Sequence, residues 1–240
     1  MSYWGKRSET FDKLDWVKSR NYMDVLLAAC KLEPGHQVLD LGCGTGRVAQ
    51  VLVPHVSKVV GIDIEPEMVI KAKGAVPEAE FVVADARDLS LFDRNQYDCV
   101  VARMIFHHIL DGLKDAVKEC HRVLKPGGRL VIAEGIAPHP SLQGWFVEMM
   151  ALKEERLALR PEDLLKLLTG FRMSSASSFV QPRMSLRNWI EYGGVPEENK
   201  AALWEMHQSL HPEGRELYNM VEEDGDLLMD WTTCIAVGIK

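Results

Sequence analysis

A glycine-rich turn after a short apolar run is the segment of this sequence best suited to binding a small ligand. Residues 38–47 read VLDLGCGTGR, with Asp40 two positions before the first of three alternating glycines. Glycine permits a tight turn with positive φ and lets a ligand approach the backbone closely. A helix that follows such a turn points free backbone N–H groups at the same place. The turn therefore predicts a binding site.

Two classes of ligand could use this turn. Dinucleotide-binding folds carry the pattern GxGxxG and place a pyrophosphate at the helix N-terminus, whereas this turn has Arg47 at the sixth position. The carboxylate of Asp40 would also repel a pyrophosphate. An acid beside the turn suits a ligand that carries an amino group and a positive sulfonium, so the pattern favours a ligand of that kind.

Acidic residues also follow the next two predicted strands. Asp63 ends the run VVGID, at the distance from the turn where a ribose diol lies in nucleotide-binding folds. Its carboxylate can accept from both hydroxyls, and the alternative is a helix-capping or turn aspartate. Asp85 follows the run FVVA, where its carboxylate can accept from an adenine amino group or serve only as a turn residue.

Histidines near the end of the fourth predicted strand are candidates for proton transfer. His107 and His108 follow the run VVARMIF, and strand ends of open α/β sheets face the ligand crevice. An imidazole there can act as a base near neutral pH, although one of the two could simply pack against the sheet. Glu134, which ends the fifth strand, could face an acceptor or be a turn acid. His139 is a further candidate base.

Strands and helices alternate along the first half of the chain. Short β-branched runs occupy residues 38–41, 58–62, 81–83, 97–101 and 129–133. Helical patterns separate them, which indicates parallel βαβ units. The runs are apolar on both faces, as expected where helices cover both sides of a sheet.

The second half is less regular. We expect helices over residues 12–30 and 141–159, a strand over residues 173–180, and a largely helical region over residues 185–220 before a final strand at residues 232–239. That region is too long for a simple turn, so it predicts an inserted lid. Its Trp189, Tyr192 and Trp204 could line an acceptor pocket or merely pack the lid.

Composition excludes several classes of function. The chain has 240 residues and a formal net charge of -7 without a Lys/Arg cluster, which argues against a nucleic-acid partner. Its five scattered cysteines contain no CxxC pair, so neither disulfides nor a metal site is expected. Neither a signal-peptide pattern nor a long apolar run occurs. We therefore expect a cytoplasmic protein without membrane insertion; the oligomeric state stays open, a homodimer included.

Five motifs in fixed order resemble class I S-adenosylmethionine-dependent methyltransferases, and most closely the ubiquinone/menaquinone C-methyltransferases and related small-molecule enzymes. The motifs are VLDLGCGTG, VVGIDIEPEMV, VVADARDL, YDCVVARMIFHHI and RVLKPGGRLVIAE. The resemblance implies a Rossmann-like α/β fold: a seven-stranded, mostly parallel sheet with helices on both faces and an antiparallel last strand. We expect a single domain comprising a cap (residues 1–36), a cofactor-binding core (37–140), a helical lid between strands six and seven (181–230) and a final strand (231–240).

The resemblance also implies S-adenosyl-L-methionine as the cofactor and a role for each matching residue. The residues implied to bind it are Asp40, Gly42 and Gly44 at the methionine part, Asp63 at the ribose, Ile64, Asp85 and Ala86 at the adenine, and Arg103, through its backbone, at the methionine end. His107 and His108 are the catalytic candidates.

The expected reaction is methylation of carbon or oxygen on a small-molecule acceptor by in-line SN2 transfer. Three alternatives stay open at this stage. They are a catalytically inactive regulatory protein that binds the cofactor, a protein or RNA methyltransferase, and an NAD-dependent oxidoreductase, against which Arg47 argues.

Overall fold

The computed structural model describes residues 3–240, and an eight-stranded sheet runs through them. The strands are β1 (Gln37–Leu41), β2 (Lys58–Asp63), β3 (Glu80–Val83), β4 (Tyr97–Arg103), β5 (Leu124–Ile136), β6 (Met173–Ser185), β7 (Val221–Glu223) and β8 (Asp226–Ile239). They lie in the order β3-β2-β1-β4-β5-β8-β6, and β7 pairs with β8. The first five pair in parallel, and β8 is antiparallel to β5 and β6.

The predicted fold class is confirmed, with one strand more than expected among the described residues. The additional strand is β7, which forms a hairpin with β8. Asp224 and Gly225 connect the two strands, and both have positive φ. An Asp-Gly pair at a two-residue connection is a strong hairpin signal, so the sequence carried this information within the predicted lid (residues 181–230).

Helices cover both faces of the sheet and also build the region between β6 and β8. They are α1 (Tyr3–Arg7), α2 (Asp15–Lys18), α3 (Arg20–Cys30), α4 (Arg47–Leu52), α5 (Pro66–Ala75), α6 (Leu113–Val123), α7 (Gln143–Ala151), α8 (Pro161–Leu167), α9 (Leu186–Tyr192), α10 (Glu197–Gln208) and α11 (Pro212–Leu217). None of the helices within residues 3–240 combines the length and apolarity that crossing a bilayer requires.

Two expected helices are shorter than the pattern indicated. The helix expected over residues 12–30 is interrupted at Ser19, whose side chain accepts the N–H of Tyr22 and starts α3. The helix expected over residues 141–159 ends with α7 at Ala151. The chain beyond it is irregular, and the N–H of Leu157 donates to the carbonyl of His107, which fixes this segment against the sheet edge.

Alternation along the strands creates an apolar core on each face of the sheet. On β4, Val100 and Ala102 belong to one core, and Cys99 and Val101 belong to the other. All four are at most 1% exposed, so this strand is apolar on both sides. Burying one larger aliphatic side chain contributes roughly 1.5–3 kcal/mol. The two cores together bury β4 on both faces.

A third core joins the helical region after β6 to α7. It includes Phe146 and Met149 of α7, Trp189 of α9 and Leu203 of α10. This packing lies where the lid was expected, while a lid function stays a prediction. The predicted cap begins at Met1, and Met1 and Ser2 lie outside the described residues.

Candidate functional site

A cavity of about 510 Å3 opens at the carboxyl ends of β1, β2, β4 and β5. The predicted site residues that line it are Gly42, Gly44, Asp63, Ile64, Asp85, Ala86, Arg103, His107 and His108. The fold therefore brings together every predicted site residue except Asp40. Parallel strands make this possible, because their carboxyl ends meet at one edge of the sheet.

Asp40 lies beneath the glycine turn rather than in the cavity wall. Its side chain is buried, and Oδ2 accepts the N–H of Ala49 in α4 at 3.1 Å. Burial raises the pKa of this carboxyl to about 7. The Asp40 side chain does not line the cavity. Its carboxylate is directed at the first turn of α4 instead, so its contact with a ligand stays a prediction. Asp40 positions the turn.

The glycine turn requires glycine for a steric reason at its first position. Gly42 has φ +69°, and a Cβ there would collide with the side chain of Ile105. Gly44 has φ +52° and only the Phe11 ring at 3.9 Å from an added Cβ. The backbone at Gly44 is therefore open to a ligand.

Asp63 holds the turn and faces the cavity at the same time. Its Oδ2 accepts the N–H of Gly44 at 2.9 Å, and Oδ1 accepts the N–H of Glu65 at 2.9 Å. Burial raises the pKa of the Asp63 carboxyl, and these backbone donors oppose that rise. Each carboxylate oxygen has a second lone pair, which can accept from a ribose hydroxyl.

An apolar shelf follows Asp63. Ile64 is 61% exposed although it lines the cavity, and Ala84 and Ala86 line it beside Ile64. Asp85 accepts hydrogen bonds from the backbone N–H and the guanidinium of Arg87. The hydrogen bond from Arg87 is the largest cause of the lowered pKa of Asp85. Exposed apolar surface flanked by a carboxylate suits an adenine ring and its amino group.

Arg103 presents its side chain, rather than only its backbone, at the other side of the turn. The guanidinium lies 4.7 Å from the ring centroid of Trp16 and 4.8 Å from that of Tyr22. Its Nη2 donates to the carbonyl of Trp16 at 3.3 Å. Its Nε is buried and has no hydrogen-bond acceptor among residues 3–240. A ligand carboxylate would satisfy this donor.

These features fit an adenosine linked to an amino acid. Ile64 offers an apolar surface for the base, Asp63 accepts from the ribose, the turn at Gly44 leaves room beside the backbone, and Arg103 has a free donor for a carboxylate. We call this part of the cavity, comprising the turn, Asp63, Ile64, Asp85, Ala86 and Arg103, the cofactor end.

His107 lines the cavity and forms a buried pair with Glu134, which lies behind the cavity wall. Glu134 Oε2 lies 2.5 Å from His107 Nδ1, and Glu134 Oε1 accepts the N–H of Phe106 at 2.6 Å. Burial raises the pKa of Glu134 to about 7 and lowers that of His107 well below its usual value. The lowered pKa of His107 favours a neutral imidazole, and if the ring proton is on Nδ1 the nitrogen that does not face Glu134 is unprotonated.

His108 lies beside this pair. Its ring centroid is 3.9 Å from that of His107 and 4.6 Å from that of Trp4. Burial lowers the pKa of His108 to about 2. His139 is exposed, does not line the cavity, and caps the turn at Ser141.

Sequence patterns missed a group of buried charges on the far side of the histidines. Arg7, Lys153 and Arg156 line the cavity, and all three form ion pairs with Glu154. Nothing in the local pattern marked them, because Arg7 precedes the sheet and residues 153–156 fell within the helix expected over residues 141–159. Their inward orientation depends on tertiary packing.

Ligand atoms of His107, His108 and Glu154 lie within 4.8 Å of one another, close enough to hold a metal ion in principle. Glu154 is already paired with Lys153 and with two arginines. The surrounding positive charge makes this a poor cation site.

Apolar side chains complete this side of the cavity. They are Phe146, Met149, Met150, Trp189, Tyr218, Met229 and Trp231. Trp189 therefore lines the cavity, whereas Tyr192 and Trp204 do not and lie instead within reach of Lys13 and Arg187. We call this wall, together with Arg7, Lys153 and Arg156, the acceptor end.

Comparison with known proteins finds methyltransferase similarity over the part of the chain that contains the glycine turn. A family model described as a methyltransferase domain matches residues 39–132. A demethylmenaquinone methyltransferase of Thermotoga maritima is 38% identical over 106 residues, which are 43% of this chain and 45% of that protein. In several relatives the match covers less than half of the relative's own length.

The Bacillus subtilis protein YcgJ resembles a larger part of the chain. Described as an uncharacterized methyltransferase, it is 28% identical over 182 residues, which are 72% of this chain and 70% of YcgJ. Its crystal structure aligns with a TM-score of 0.81 at 22% identity, covering 92% of this chain and 99% of YcgJ. That structural likeness supports the fold.

Proposed function

We propose that this chain is a class I S-adenosylmethionine-dependent methyltransferase and that it transfers a methyl group from S-adenosylmethionine to a carbon or oxygen atom of a small molecule bound at the acceptor end. The observation that carries this proposal is the continuity of the cavity, because the cofactor end, His107 and the apolar wall line the same space. The matched demethylmenaquinone methyltransferase supports a small-molecule acceptor.

S-adenosylmethionine supplies a methyl group on a positively charged sulfur, which is a good leaving group. The protein's main contribution is then alignment, and holding two reactants in a near-attack geometry can supply much of the barrier reduction. The glycine turn, Asp63 and Arg103 hold one partner. The apolar wall holds the other and excludes water from the space between them.

His107 is the group placed to remove a proton from the acceptor. With the imidazole proton on Nδ1, Glu134 accepts from it, which fixes the ring and leaves the other nitrogen free for a proton. Glu134 is a positioning residue in this scheme. A hydroxyl acceptor, or a carbon activated by an adjacent hydroxyl, would need such a base.

Calorimetry with S-adenosylmethionine and S-adenosylhomocysteine tests the proposal directly. We expect dissociation constants in the micromolar range. A screen of apolar small molecules should then yield S-adenosylhomocysteine only where an acceptor is turned over. Binding of a nicotinamide or flavin dinucleotide, with neither adenosyl compound bound, would overturn the proposal.

A further inference from the structure

We infer that the acceptor carries a carboxylate and that Arg7, Lys153 and Arg156 bind it at the acceptor end. The inference rests on the proposed function, since it names the substrate class of that same cavity. It is carried by the position of the cations, by their spare donors and by the shortage of negative charge around them.

The cations face the cavity, whereas the carboxylates that partly neutralise them lie behind. Arg7, Lys153 and Arg156 line the cavity, but Glu154 and Glu134 do not. Glu154 is the shared partner of all three cations, and Glu134 pairs with His107. A ligand at the acceptor end therefore meets positive charge.

The two arginines are only partly satisfied by Glu154. The distances from their Nη1 atoms to the Glu154 carboxylate are 3.7 Å for Arg7 and 3.6 Å for Arg156, longer than a hydrogen bond of about 2.7–3.2 Å. The Nε atoms of both are buried and have no hydrogen-bond acceptor in the described part of the chain. Both side chains are more than nine-tenths buried, at 7% and 8% exposed.

Lys153 adds further donors to the same place. Its Nζ donates to Glu154 Oε1, and an ammonium has three donors, so two remain for a ligand. Burial lowers the pKa of Lys153 to about 7, even though Glu154 opposes that change. An additional anion would restore the charged form, as expected of a site that is complete only with its ligand.

The donor set indicates the kind of anion. Guanidinium groups are planar forks that match a carboxylate or phosphate with two parallel hydrogen bonds. The rest of the acceptor end is apolar, with Phe146, Met149 and Trp189 in its wall. An apolar body with one small acidic group fits both features. The same positive charge opposes a divalent cation at His107, His108 and Glu154.

The test compares three probes that share an apolar body: 2-naphthoate, 2-naphthamide and 2-naphthyl phosphate. Each is titrated calorimetrically into the full chain, with and without saturating S-adenosylhomocysteine. We expect 2-naphthoate to bind at least tenfold more tightly than 2-naphthamide and more tightly than the phosphate. Equal affinity for the carboxylate and the amide overturns the inference, and tighter binding of the phosphate overturns its assignment to a carboxylate.

Variants locate the preference in the protein. Arg156→Gln should reduce the preference for 2-naphthoate to less than threefold, whereas Arg156→Lys should retain part of it. Arg160→Gln is the matched control, because Arg160 lies four positions away, is exposed and pairs with Asp163; it should keep the full preference. A preference that survives in Arg156→Gln and in Lys153→Gln overturns the assignment.

S-adenosylhomocysteine affinity separates this inference from the proposed function. A folded variant should retain its affinity for S-adenosylhomocysteine, so loss of naphthoate binding alone is a local effect. If the unchanged protein binds no adenosyl compound, the proposed function fails whatever the probes do. If it binds S-adenosylhomocysteine but shows no preference for the carboxylate, only the present inference fails.

Discussion

The cofactor end and the acceptor end share one cavity but are built in different ways. At the cofactor end, polar side chains stand at the ends of adjacent strands and are hydrogen bonded to nearby backbone, as Asp63 is to Gly44 and Glu65. At the acceptor end, Arg7, Lys153 and Arg156 come from irregular or terminal segments and share a single carboxylate.

This difference shows which end satisfies its polar groups without a ligand. The cofactor end satisfies most of its polar groups internally and keeps a few lone pairs and donors for a ligand. The acceptor end buries cations that its own acids only partly neutralise, and burial of incompletely paired charge is costly. We therefore expect recognition of the cofactor to be robust to change elsewhere, whereas acceptor recognition depends on a few charged side chains.

The largest expected effect is on the rate of methyl transfer rather than on cofactor binding. His107→Gln should lower kcat with an identified acceptor by about 100- to 10,000-fold, the usual contribution of general base catalysis. Affinity for S-adenosylmethionine should change less than twofold, because His107 lies outside the cofactor end. Rate assays and calorimetry measure the two quantities. The control is His55→Gln, at an exposed histidine. Unchanged kcat in His107→Gln would falsify the proposed base.

Asp63→Ala tests binding of the cofactor rather than catalysis. The variant loses a carboxylate that can accept from the ribose and also anchors the N–H of Gly44, so S-adenosylmethionine should bind roughly tenfold or more weakly. Naphthoate affinity in the absence of any adenosyl compound should stay the same. Calorimetry on Asp63→Ala and Asp63→Asn distinguishes the lost charge from the lost shape. Undiminished cofactor affinity in Asp63→Ala would contradict the ribose assignment.

The pH dependence of stability probes the charge at the acceptor end. Burial lowers the pKa of Lys153 to about 7, below the unfolded value of about 10.4. Between these values the unfolded chain binds one proton more, so the unfolding free energy gains up to about 1.4 kcal/mol per pH unit as pH rises.

Urea denaturation of the unchanged protein and of Lys153→Met between pH 7 and pH 10 measures this contribution. The unchanged protein should become more stable relative to the variant as pH rises. Lys118→Met, at a well-exposed lysine on α6, is the control and should show no such trend. Parallel pH profiles for the protein and Lys153→Met would mean that Lys153 titrates as an ordinary lysine.

The smallest expected effect concerns the apolar shelf at the cofactor end. Ile64 is 61% exposed, so Ile64→Ala should change the unfolding free energy by less than about 0.5 kcal/mol. It removes apolar surface that an adenine ring would cover, so affinity for S-adenosylmethionine should fall by about three- to tenfold. Leu91→Ala, also at an exposed apolar position, serves as the control. Cofactor affinity that falls no further than in that control would remove Ile64 from the adenine site.

Sequence patterns anticipated the parallel strands, the glycine turn and the residues that gather at the strand ends. Each depends on short-range information, because short β-branched apolar runs define the strands and glycines define the turn. Asp40 shows where this reasoning stops. Its position beside the turn was visible, but its direction toward Ala49 rather than the cavity depends on how α4 packs against β1.

The additional strand β7 and the early end of α7 were also not expected. The hairpin signal at Asp224-Gly225 lay within the predicted lid, between the expected helical region (residues 185–220) and the expected final strand (residues 232–239). The segment after Ala151 fell within the helix expected over residues 141–159, and its contact with the carbonyl of His107 is a tertiary interaction that local propensity does not contain.

The sequence by itself determined the fold class and predicted S-adenosylmethionine as the cofactor and most of the residues that line the cofactor end, because short motifs at strand ends carry that information locally. Only the tertiary structure decided that Glu134 holds His107 and that Arg7, Lys153 and Arg156 converge on Glu154. Contacts between segments as distant in the chain as Arg7 and Glu154 arise when separate elements pack around a common cavity, and no local spacing encodes them.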